Sequence, residues 1–331
     1  SKTLISSARM MQAVREAGEY GVIAKYPQAD WSFMLDRKEQ LIAKIRNRSY
    51  KNVDRNENID LYEGEAIFKD SQSVEVNGEL IKADKIIIAT GARSVIPPVK
   101  GLQEIDYLTS TSAMQLKELP DSLLIIGGGI IALEFSQLFS RLGVKVTIIQ
   151  RGDRLAPKLE MEISKEIHRI LEKDGVNVKT NTEITSVGSD SRGVYAVDDA
   201  GEQVAKYRAD QIMVATGRTP NSDRLNLDQV GVKTDERGFV KVDEGFNTDV
   251  EGIWAIGDVI GGMMFTHRAW HDALLLSRFF LNSTPVKSQG RLIPFAIFTE
   301  PEIAGIGLGE AAAKKAGYQV KTQTFPFTFL G

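Results

Sequence analysis

Residues 123–134 decide the fold. They read Leu123-Leu124-Ile125-Ile126-Gly127-Gly128-Gly129-Ile130-Ile131-Ala132-Leu133-Glu134. Its apolar beginning is typical of a buried parallel strand, and the spacing after the glycines is helical as far as Leu142. The pattern G-x-G-x-x-A places Gly127, Gly129 and Ala132 in three positions with separate tasks. The first glycine permits a tight turn, the second lets backbone N–H groups approach a pyrophosphate, and the small third residue packs helix against strand. The stretch therefore predicts a strand–turn–helix unit that binds a dinucleotide.

The residues that follow favour nucleotide binding over the alternative, a purely structural tight turn. Gly143 ends the helix, and residues 144–149 have the composition of a second parallel strand. This strand ends at Gln150 and Arg151, about 20 residues past the glycine turn, where such units contact the adenosine ribose. The N-terminus of the helix between them carries the positive end of its dipole, which stabilises phosphate.

Composition is that of an ordinary globular protein and argues against several classes of function. The chain has 331 residues, of which 42% are hydrophobic and 26% are charged, and its net charge is -3. That length suits two or three domains, and that charge does not favour nucleic acid as a partner. No apolar run is long enough to span a bilayer, and residues 2–22 show helical periodicity rather than a secretory signal. We therefore expect a cytoplasmic protein that binds neither nucleic acid nor a membrane.

Two side-chain types limit the chemistry of the chain. It has no cysteine, so it supplies no disulfide, thiolate ligand or thiol nucleophile. Of its three histidines, only His267 and His271 are spaced to share a helix face, and no third ligand lies near them in the sequence. We therefore predict no metal site.

The N-terminal part of the chain carries no chemical motif and is predicted to be scaffold. Residues 3–19 and 31–50 have the apolar periodicity of amphipathic helices. Phe33, Leu41 and Ile45 are predicted to form the apolar side of the second helix.

The tripeptide Ala-Thr-Gly occurs twice at the end of a buried strand. Residues 85–89 lead into Thr90-Gly91, and residues 211–215 lead into Thr216-Gly217. Small residues at the carboxyl end of a parallel strand let the backbone lie close to a cofactor in the crevice there. The repeat indicates an α/β fold with two Rossmann-like nucleotide-binding domains, one inserted in the other. Alone, each copy signals only a strand followed by a turn.

A further strand end carries an acid. Ile253-Trp254-Ala255-Ile256 reads as a buried strand, and Gly257-Asp258 ends it. A carboxylate at this place can accept hydrogen bonds from sugar or polyol hydroxyls. The alternative is an aspartate that caps or turns the chain before a helix starting near Met264.

Taken together, these motifs resemble the class I pyridine nucleotide–disulfide oxidoreductases over essentially the whole chain. The resemblance is carried by four motifs in the family's order: Gly127-x-Gly129-x-x-Ala132-x-Glu134, Ala215-Thr216-Gly217-Arg218-Thr219-Pro220-Asn221, Thr248 with Trp254-Ala255-Ile256-Gly257-Asp258, and Phe298-Thr299-Glu300-Pro301-Glu302-Ile303-Ala304. The run Gly257-Asp258-Val259-Ile260-Gly261-Gly262, followed by Phe265-Thr266-His267, is most similar to the mercuric reductase and dihydrolipoamide dehydrogenase branch. A glutathione reductase-like enzyme is the alternative within the family.

The resemblance implies a division of the chain into four segments. Residues 1–107 and 248–288 would form an FAD-binding domain, into which an NAD(P)-binding domain, residues 108–247, is inserted. Residues 289–331 would begin an α+β dimerisation domain, which implies a homodimer when the protein is complete. Within this last segment, residues 325–330 read as an apolar edge strand.

The resemblance also implies the reaction and the FAD site. In this family hydride passes from NAD(P)H to FAD, and electrons pass on to a disulfide, with small molecules, lipoyl groups, other disulfides or a metal ion as final acceptor. The residues implied to border FAD are Lys2, Gly91, Thr109, Ser110, Thr111, Gly257, Asp258, Met264, Phe265, Thr266 and His267. Asp258 would bind the ribitol, and His267 would supply backbone contacts rather than act as a base. Lys2 would lie near the flavin, paired with Glu134, for which the alternative is a helix-surface carboxylate.

The nicotinamide nucleotide is predicted to be NADPH rather than NADH. The residues implied to bind it are Gly127, Gly128, Gly129, Ile130, Ile131, Ala132, Glu134, Gln150, Arg151, Arg154 and Gly217. NAD-binding units carry an acid at the end of the second strand, where this chain has the neutral Gln150. Arg151 can bind a 2′-phosphate through two hydrogen bonds, and Arg154 and Lys158 lie in the same loop. The alternative is a solvated basic loop, partly neutralised by Asp153, in which Gln150 tolerates NADH.

By the same resemblance, no catalytic residue is predicted in this chain. Ser1-Lys2-Thr3-Leu4 resembles the segment just after the redox-active cysteine pair, which would lie upstream with the first FAD glycine turn. The acid–base histidine and its glutamate would lie beyond residue 331. One alternative is a cysteine-free nucleotide-binding derivative without disulfide turnover. Another is a relative of NADH oxidase or ferredoxin reductase that needs no dithiol, against which the resemblance at residues 1–4 argues.

We predict that the 331-residue chain binds nicotinamide nucleotide more tightly than FAD. Residues 108–247 hold every strand expected of the inserted domain, whereas the FAD domain would lack the unit that binds a pyrophosphate. Purified protein should therefore carry no tightly held flavin and show no dithiol turnover, since exchange requires a thiolate. A stoichiometric yellow flavin in the visible spectrum of the purified protein would contradict the prediction.

Overall fold

The computed structural model describes residues 1–25, 27–199 and 204–325. The α-helices in these ranges are α1 (Lys2–Glu16), α2 (Trp31–Asp54), α3 (Ile130–Arg141), α4 (Met161–Lys173), α5 (Leu227–Val230), α6 (Thr266–Asn282) and α7 (Glu310–Lys315). The strands are β1 (Ala66–Asp70), β2 (Ser73–Val76), β3 (Glu79–Lys82), β4 (Ile86–Ile88), β5 (Ala92–Ser94), β6 (Ser122–Ile126), β7 (Lys145–Ile149), β8 (Asn177–Lys179), β9 (Ser186–Asp190), β10 (Gly193–Asp198), β11 (Ala205–Ala209), β12 (Gln211–Val214), β13 (Arg218–Pro220), β14 (Ile253–Ala255), β15 (Phe295–Ile297) and β16 (Ile303–Gly305). Short 3₁₀ helices occupy Ala17–Tyr20, Leu102–Glu104, Ser112–Gln115 and Gly257–Ile260.

Four parallel strands form the main sheet, in the order β12-β6-β7-β8. This order, with the first strand of the unit next to the fourth, is that of a Rossmann-like half. The predicted strand at 123–126 and the helix after it are therefore confirmed, and with them the α/β class of the fold.

The two faces of the main sheet are covered by different layers, which explains the continuous apolar run in β6. Leu123 and Ile125 lie in a core that they share with residues of α1, α3 and α4. Leu124 and Ile126 point the other way, into a core completed by the antiparallel sheet β11-β10-β9. Successive side chains of a strand alternate between faces, so a strand with both faces covered needs apolar residues throughout.

A second parallel pair joins β4, which precedes Thr90-Gly91, to β14, which precedes Gly257-Asp258. It shares a core with β1 of the antiparallel meander β1-β2-β3, through Phe68, Ile88 and Ile253. Leu225 and Val240 lie in the same core. Residues 225–240, predicted to belong to the inserted domain, thus pack beside β1 and β4; the predicted domain boundaries stay predictions.

The long helix α2 packs through a face other than the predicted one. Phe33, Leu41 and Ile45 are 66%, 44% and 59% exposed, so the prediction that they form its packed side is wrong. The residues of α2 that face the interior are Trp31, Met34, Leu35 and Lys38. These residues recur at the spacing of one helix stripe. Lys38 can be buried in that stripe because its ammonium donates to the Met114 carbonyl at 2.6 Å. The periodicity of apolar residues does not predict a buried lysine.

The last described segment lies against α1 and α3. Strands β15 and β16 form an antiparallel pair. Arg9 of α1 is paired with Glu300 and Glu302 at 2.9 and 2.6 Å. Gln137 of α3 accepts the Glu300 N–H and donates to its carbonyl. Of the predicted strand 325–330, all but the first residue lie outside the described ranges.

Candidate functional site

The glycine turn lies at the carboxyl end of β6. Gly127 has a φ of +119°, and a Cβ at this residue would lie 2.4 Å from the carbonyl oxygen of Ala215, just after β12. Both the backbone conformation and the neighbouring strand therefore require glycine here. Gly129 has an ordinary φ of −83°, and a Cβ there would meet no heavy atom within 4 Å in the described part of the chain. That open space lies at the N-terminus of the 12-residue helix α3, which suits a phosphate.

The loop after β7 closes over the turn. The Ala156 N–H donates to the Gly128 carbonyl at 2.7 Å. The side chain of Gln150 lies against Gly128, where a Cβ would come within 3.0 Å of it. Gln150 therefore stands beside the turn, where the ribose of a dinucleotide is expected.

The two arginines predicted to bind a 2′-phosphate are placed differently. The Arg151 side chain is 80% exposed, and its Nη1 lies 3.5 Å from Oε1 of Glu183. Arg154 is bound to its own loop, where it donates to the Pro157 carbonyl at 3.0 Å. Arg151 can therefore reach a ligand without losing a backbone contact, and Arg154 cannot.

The segments that follow the two Ala-Thr-Gly repeats pair with each other. Strands β5 and β13 form an antiparallel two-stranded sheet. Asn221 extends this contact: its Nδ2 donates to the Thr90 carbonyl and its backbone N–H to the Gly91 carbonyl, both at 2.9 Å. On the other side, the Val95 N–H donates to the Gly217 carbonyl at 3.1 Å. The carboxyl ends of β4 and β12 are thereby held next to each other.

Arg218 links the β5–β13 pair to Asp258, the acid after β14. It donates to the Ala92 carbonyl, and its Nη2 lies 3.8 Å from Oδ2 of Asp258. The Asp258 side chain is 21% exposed, so it can still accept from a hydroxyl of a ligand. Helix α6 has Phe265 as its N-cap, so Asp258 is not the cap of that helix.

The loop that presents Asp258 is held by a buried ion cluster that the sequence analysis missed. Asp272 of α6 is fully buried and accepts the Gly257 N–H at 3.1 Å. Arg268 and Arg291 pair with its carboxylate at 3.2 and 2.7 Å. Burial lowers the pKa of Arg268, and the charge of Asp272 opposes this shift. A carboxylate with two arginines and an N–H is fully partnered, which a buried charge requires.

Part of this cluster left a signal in the sequence. Arg268 and Asp272 are four residues apart on one helix, the spacing of a helical ion pair. Arg268 also donates to the carbonyl of Gly261, so both ends of the loop are tied to α6. Arg291 lies in a segment without helix or strand, and no local pattern points from it to Asp272.

Lys2 and Glu134 meet at Phe298. Glu134 accepts the Phe298 N–H at 2.9 Å, and the Lys2 ammonium lies 4.4 Å from the centre of the Phe298 ring. Burial raises the pKa of the Glu134 carboxyl, opposed by the Phe298 N–H and by the charge of Lys2. Glu134 is thus not a solvated helix-surface carboxylate. The pairing of the two charges beside a flavin stays a prediction.

The residues 109–111 lie at the same end of the main sheet as the second Ala-Thr-Gly. Leu108, just before them, forms a parallel bridge to Met213 of β12. The Thr109 N–H donates to the Ser112 hydroxyl at 2.8 Å, which begins the 3₁₀ turn that Lys38 holds. The segment is therefore supported by α2 and by β12 together.

The residues before and at the start of α6 are partly accessible. Met264 and Phe265 are half-buried, whereas Thr266 and His267 are exposed. The His267 ring stacks on Phe265 at a centroid distance of 5.4 Å, and its Nε2 contacts the Pro294 carbonyl. The His267 side chain is therefore engaged with its own chain.

Two further properties of the described ranges bear on function. No group of three or more His, Cys, Asp or Glu residues there is arranged to hold a metal ion. None of the helices described combines the length and the apolar character needed to cross a bilayer.

The chain is similar to known proteins in both sequence and structure. Residues 2–273 match the family model for pyridine nucleotide-disulphide oxidoreductases, and residues 293–331 match the model for the dimerisation domain of that family. The chain is 37% identical to a mercuric reductase of Staphylococcus aureus over 326 residues, which is 98% of this chain and 60% of that protein. It is 33% identical to a dihydrolipoyl dehydrogenase of Bacillus subtilis over 337 residues, which is 100% of this chain and 72% of that protein.

A solved structure is similar over nearly the whole of this chain. The HOCl-induced flavoprotein disulfide reductase RclA from Escherichia coli is similar with a TM-score of 0.87 at 29% identity, over 99% of this chain and 71% of that chain. The chain thus spans less than two thirds of the length of the mercuric reductase, at 60%, and somewhat more of the other two proteins.

The two glycines of the turn should respond differently to alanine. Gly127→Ala should lower the free energy of unfolding by about 1–3 kcal/mol or more, because its Cβ would collide with the Ala215 carbonyl at a positive φ. Gly129→Ala should change stability by less than about 1 kcal/mol, since its Cβ enters open space at a helix N-cap. It should weaken NADPH binding by about tenfold or more, because that space is where a pyrophosphate would lie.

Urea unfolding and calorimetric titration with NADPH measure the two effects separately. Unchanged NADPH affinity in Gly129→Ala would show that the open space at the start of α3 is not the pyrophosphate site.

Proposed function

The chain belongs to the pyridine nucleotide-disulphide oxidoreductase family, and on this premise we propose that it serves an FAD-dependent oxidation of NAD(P)H. Its two nucleotide sites would hold the two cofactors, one at the glycine turn and one at the ends of β4 and β14. Hydride would pass from NAD(P)H to FAD, and electrons onward to a disulfide or metal acceptor.

The observation that carries this proposal is the pairing of β5 with β13. Hydride transfer needs the donor and acceptor rings in contact, and such positioning supplies a large part of the rate of an enzyme. Because Asn221 joins the Thr90-Gly91 end to the strand that follows Gly217, ligands bound at the two sheet ends would meet there. A protein that merely stored one nucleotide would need no such junction.

The residues at the second site fit FAD. Gly91 has a φ of +72°, and a Cβ there would meet nothing within 4 Å in the described ranges, so the backbone is open to a close ligand. The buried Nε of Arg218, beside Asp258, has no hydrogen-bond partner among the described residues, and a ligand oxygen would satisfy it. When bound, FAD accepts a hydride and passes its electrons on.

The chain's own residues would orient that cofactor. Asp258 would accept from its polyol hydroxyls, the segments 109–111 and 264–267 would border it, and the buried cluster around Asp272 would keep Asp258 in place. Lys2 would bring a positive charge near the flavin. Glu134, which also contacts Phe298, would balance that charge.

At the glycine turn we propose NADPH rather than NADH as the preferred ligand. The pyrophosphate would lie on the backbone of residues 127–132, at the start of α3. Gln150 is uncharged and does not repel a 2′-phosphate, and Arg151 extends into solvent where it can bind one. Arg154 is committed to its own loop, so it is the weaker candidate.

The names of the relatives bear on the acceptor and the assembly. A mercuric reductase, a dihydrolipoyl dehydrogenase and a flavoprotein disulfide reductase are among the similar proteins, and an acceptor of that range is part of the proposal. Exchange with a disulfide needs a thiolate, which these 331 residues do not contain. The match of residues 293–331 to a dimerisation domain supports a homodimer, and a cytoplasmic location is proposed with it.

The proposed reaction can be tested by anaerobic rapid mixing. Protein supplied with saturating FAD should show bleaching of the flavin when NADPH is added. Asn221→Ala should slow this step by about tenfold to a hundredfold, because it loses the bond to Thr90 that aligns the two sites. NADPH affinity should stay unchanged.

Asn177→Ala is the matched control, since the one side-chain hydrogen bond of Asn177 within the described ranges goes to the Thr147 hydroxyl on β7, at 3.4 Å. Failure of NADPH to reduce the flavin at saturation would overturn the proposed function. Equal rates of flavin reduction in Asn221→Ala and Asn177→Ala would show that Asn221 does not align the two sites through the β5–β13 pair.

A further inference from the structure

Glu183 is an acidic neighbour of the proposed 2′-phosphate site that no sequence pattern indicated. Its Oε1 lies 3.5 Å from Nη1 of Arg151. It belongs to the loop after β8, whereas the acid of NAD-binding units stands at the end of the second strand, here Gln150. The acid missing from one loop is thus matched by an acid on the neighbouring loop.

The position of Glu183 is fixed by its own backbone. The residues on either side, Thr182 and Ile184, are buried at 7% and 8% exposure. The Thr182 N–H donates to the Gln150 carbonyl at 3.1 Å, which ties this loop to the loop that carries Arg151. With both neighbours packed inward, the Glu183 side chain is turned outward, where it is 52% exposed.

The same two loops are joined a second time. The Asn181 N–H donates to the Gly152 carbonyl at 2.9 Å, one residue beyond Arg151. The Arg151 backbone is therefore bracketed by hydrogen bonds to the Glu183 loop at residues 150 and 152. The bracket keeps the two backbones close together, so the Arg151 and Glu183 side chains lie within reach of each other.

A 2′-phosphate would have to take Arg151 from Glu183. The guanidinium is the only part of Arg151 that can bind a phosphate, and in the free chain it faces a carboxylate. An exposed ion pair shifts an equilibrium by a factor of about 1.4 to 5. NADH, which lacks the phosphate, has no such competition to overcome.

We propose that Glu183 is a specificity-determining residue that limits the preference for NADPH by holding Arg151 away from the 2′-phosphate. This inference rests on the proposed NADPH site at Gln150 and Arg151. Removing the Glu183 charge should raise NADPH affinity while leaving NADH affinity unchanged, and the gain should require Arg151.

The test is calorimetric titration of the full chain with NADPH and NADH at low ionic strength. Arg151→Ala should weaken NADPH by about tenfold or more, because a charge-assisted hydrogen bond is lost. Glu183→Gln should strengthen NADPH by about threefold and NADH by less than about 1.5-fold. In the Arg151→Ala background, Glu183→Gln should change NADPH affinity by less than about 1.5-fold.

Asp153→Asn is the matched control for charge. Asp153 is exposed in the same loop as Arg151 and forms no ion pair in the part of the chain that is described. Its neutralisation changes the net charge as Glu183→Gln does, and it should move NADPH affinity by less than about 1.5-fold. A threefold gain in both variants would mean a general field effect and would overturn the inference.

The remaining outcomes separate the inference from the function it rests on. An unchanged ratio of NADPH to NADH affinity in Arg151→Ala would refute the NADPH site itself. A lowered ratio in Arg151→Ala, with no gain in Glu183→Gln or with equal gains in both backgrounds, would refute only the role of Glu183. Weaker NADH binding in Glu183→Gln would show that Glu183 binds the ribose hydroxyl, which also refutes it. Retained NADH binding reports that each variant is folded.

Discussion

The antiparallel pairing of β5 with β13 holds the carboxyl ends of two parallel sheets together. Each of these strands follows an Ala-Thr-Gly that ends a buried strand, and Asn221 ties the two together through Thr90 and Gly91. The small residues at both ends leave the backbone open, and the crossing brings those open ends side by side. The proposed transfer between two cofactors depends on this junction, because each sheet alone offers a place for only one.

Around the junction, stability and function make opposite demands on the chain. The main sheet is stabilised by apolar burial on both faces, and its residues could be exchanged for others of similar volume. The loop after β14 is held by a buried carboxylate between two arginines, an arrangement that costs desolvation and adds little net stability. What it supplies is a fixed position for Asp258, which is a property that apolar packing of a glycine-rich loop would not provide.

The fold could be predicted from the sequence to the extent that it is locally encoded. The run 123–134 specifies strand, turn and helix because burial on both faces and a positive φ leave few other residue choices. Long-range pairs are not encoded in this way. The crossing of residues 92–94 with 218–220, the approach of Arg291 to Asp272 and that of Glu183 to Arg151 each join segments distant in sequence, where periodicity gives no information. The packed face of α2 differs from the predicted one because it contains Lys38, and a pattern of apolar residues does not include a lysine.

The two proposed nucleotide sites would meet at the β5–β13 pair. A crystal structure of the chain with NADPH bound tests this most directly. We expect the pyrophosphate beside Gly129 at the start of α3, and the nicotinamide ring next to Gly217, facing Gly91 across the pair. A nicotinamide ring that points away from the pair, or a nucleotide bound elsewhere on the chain, would contradict the account.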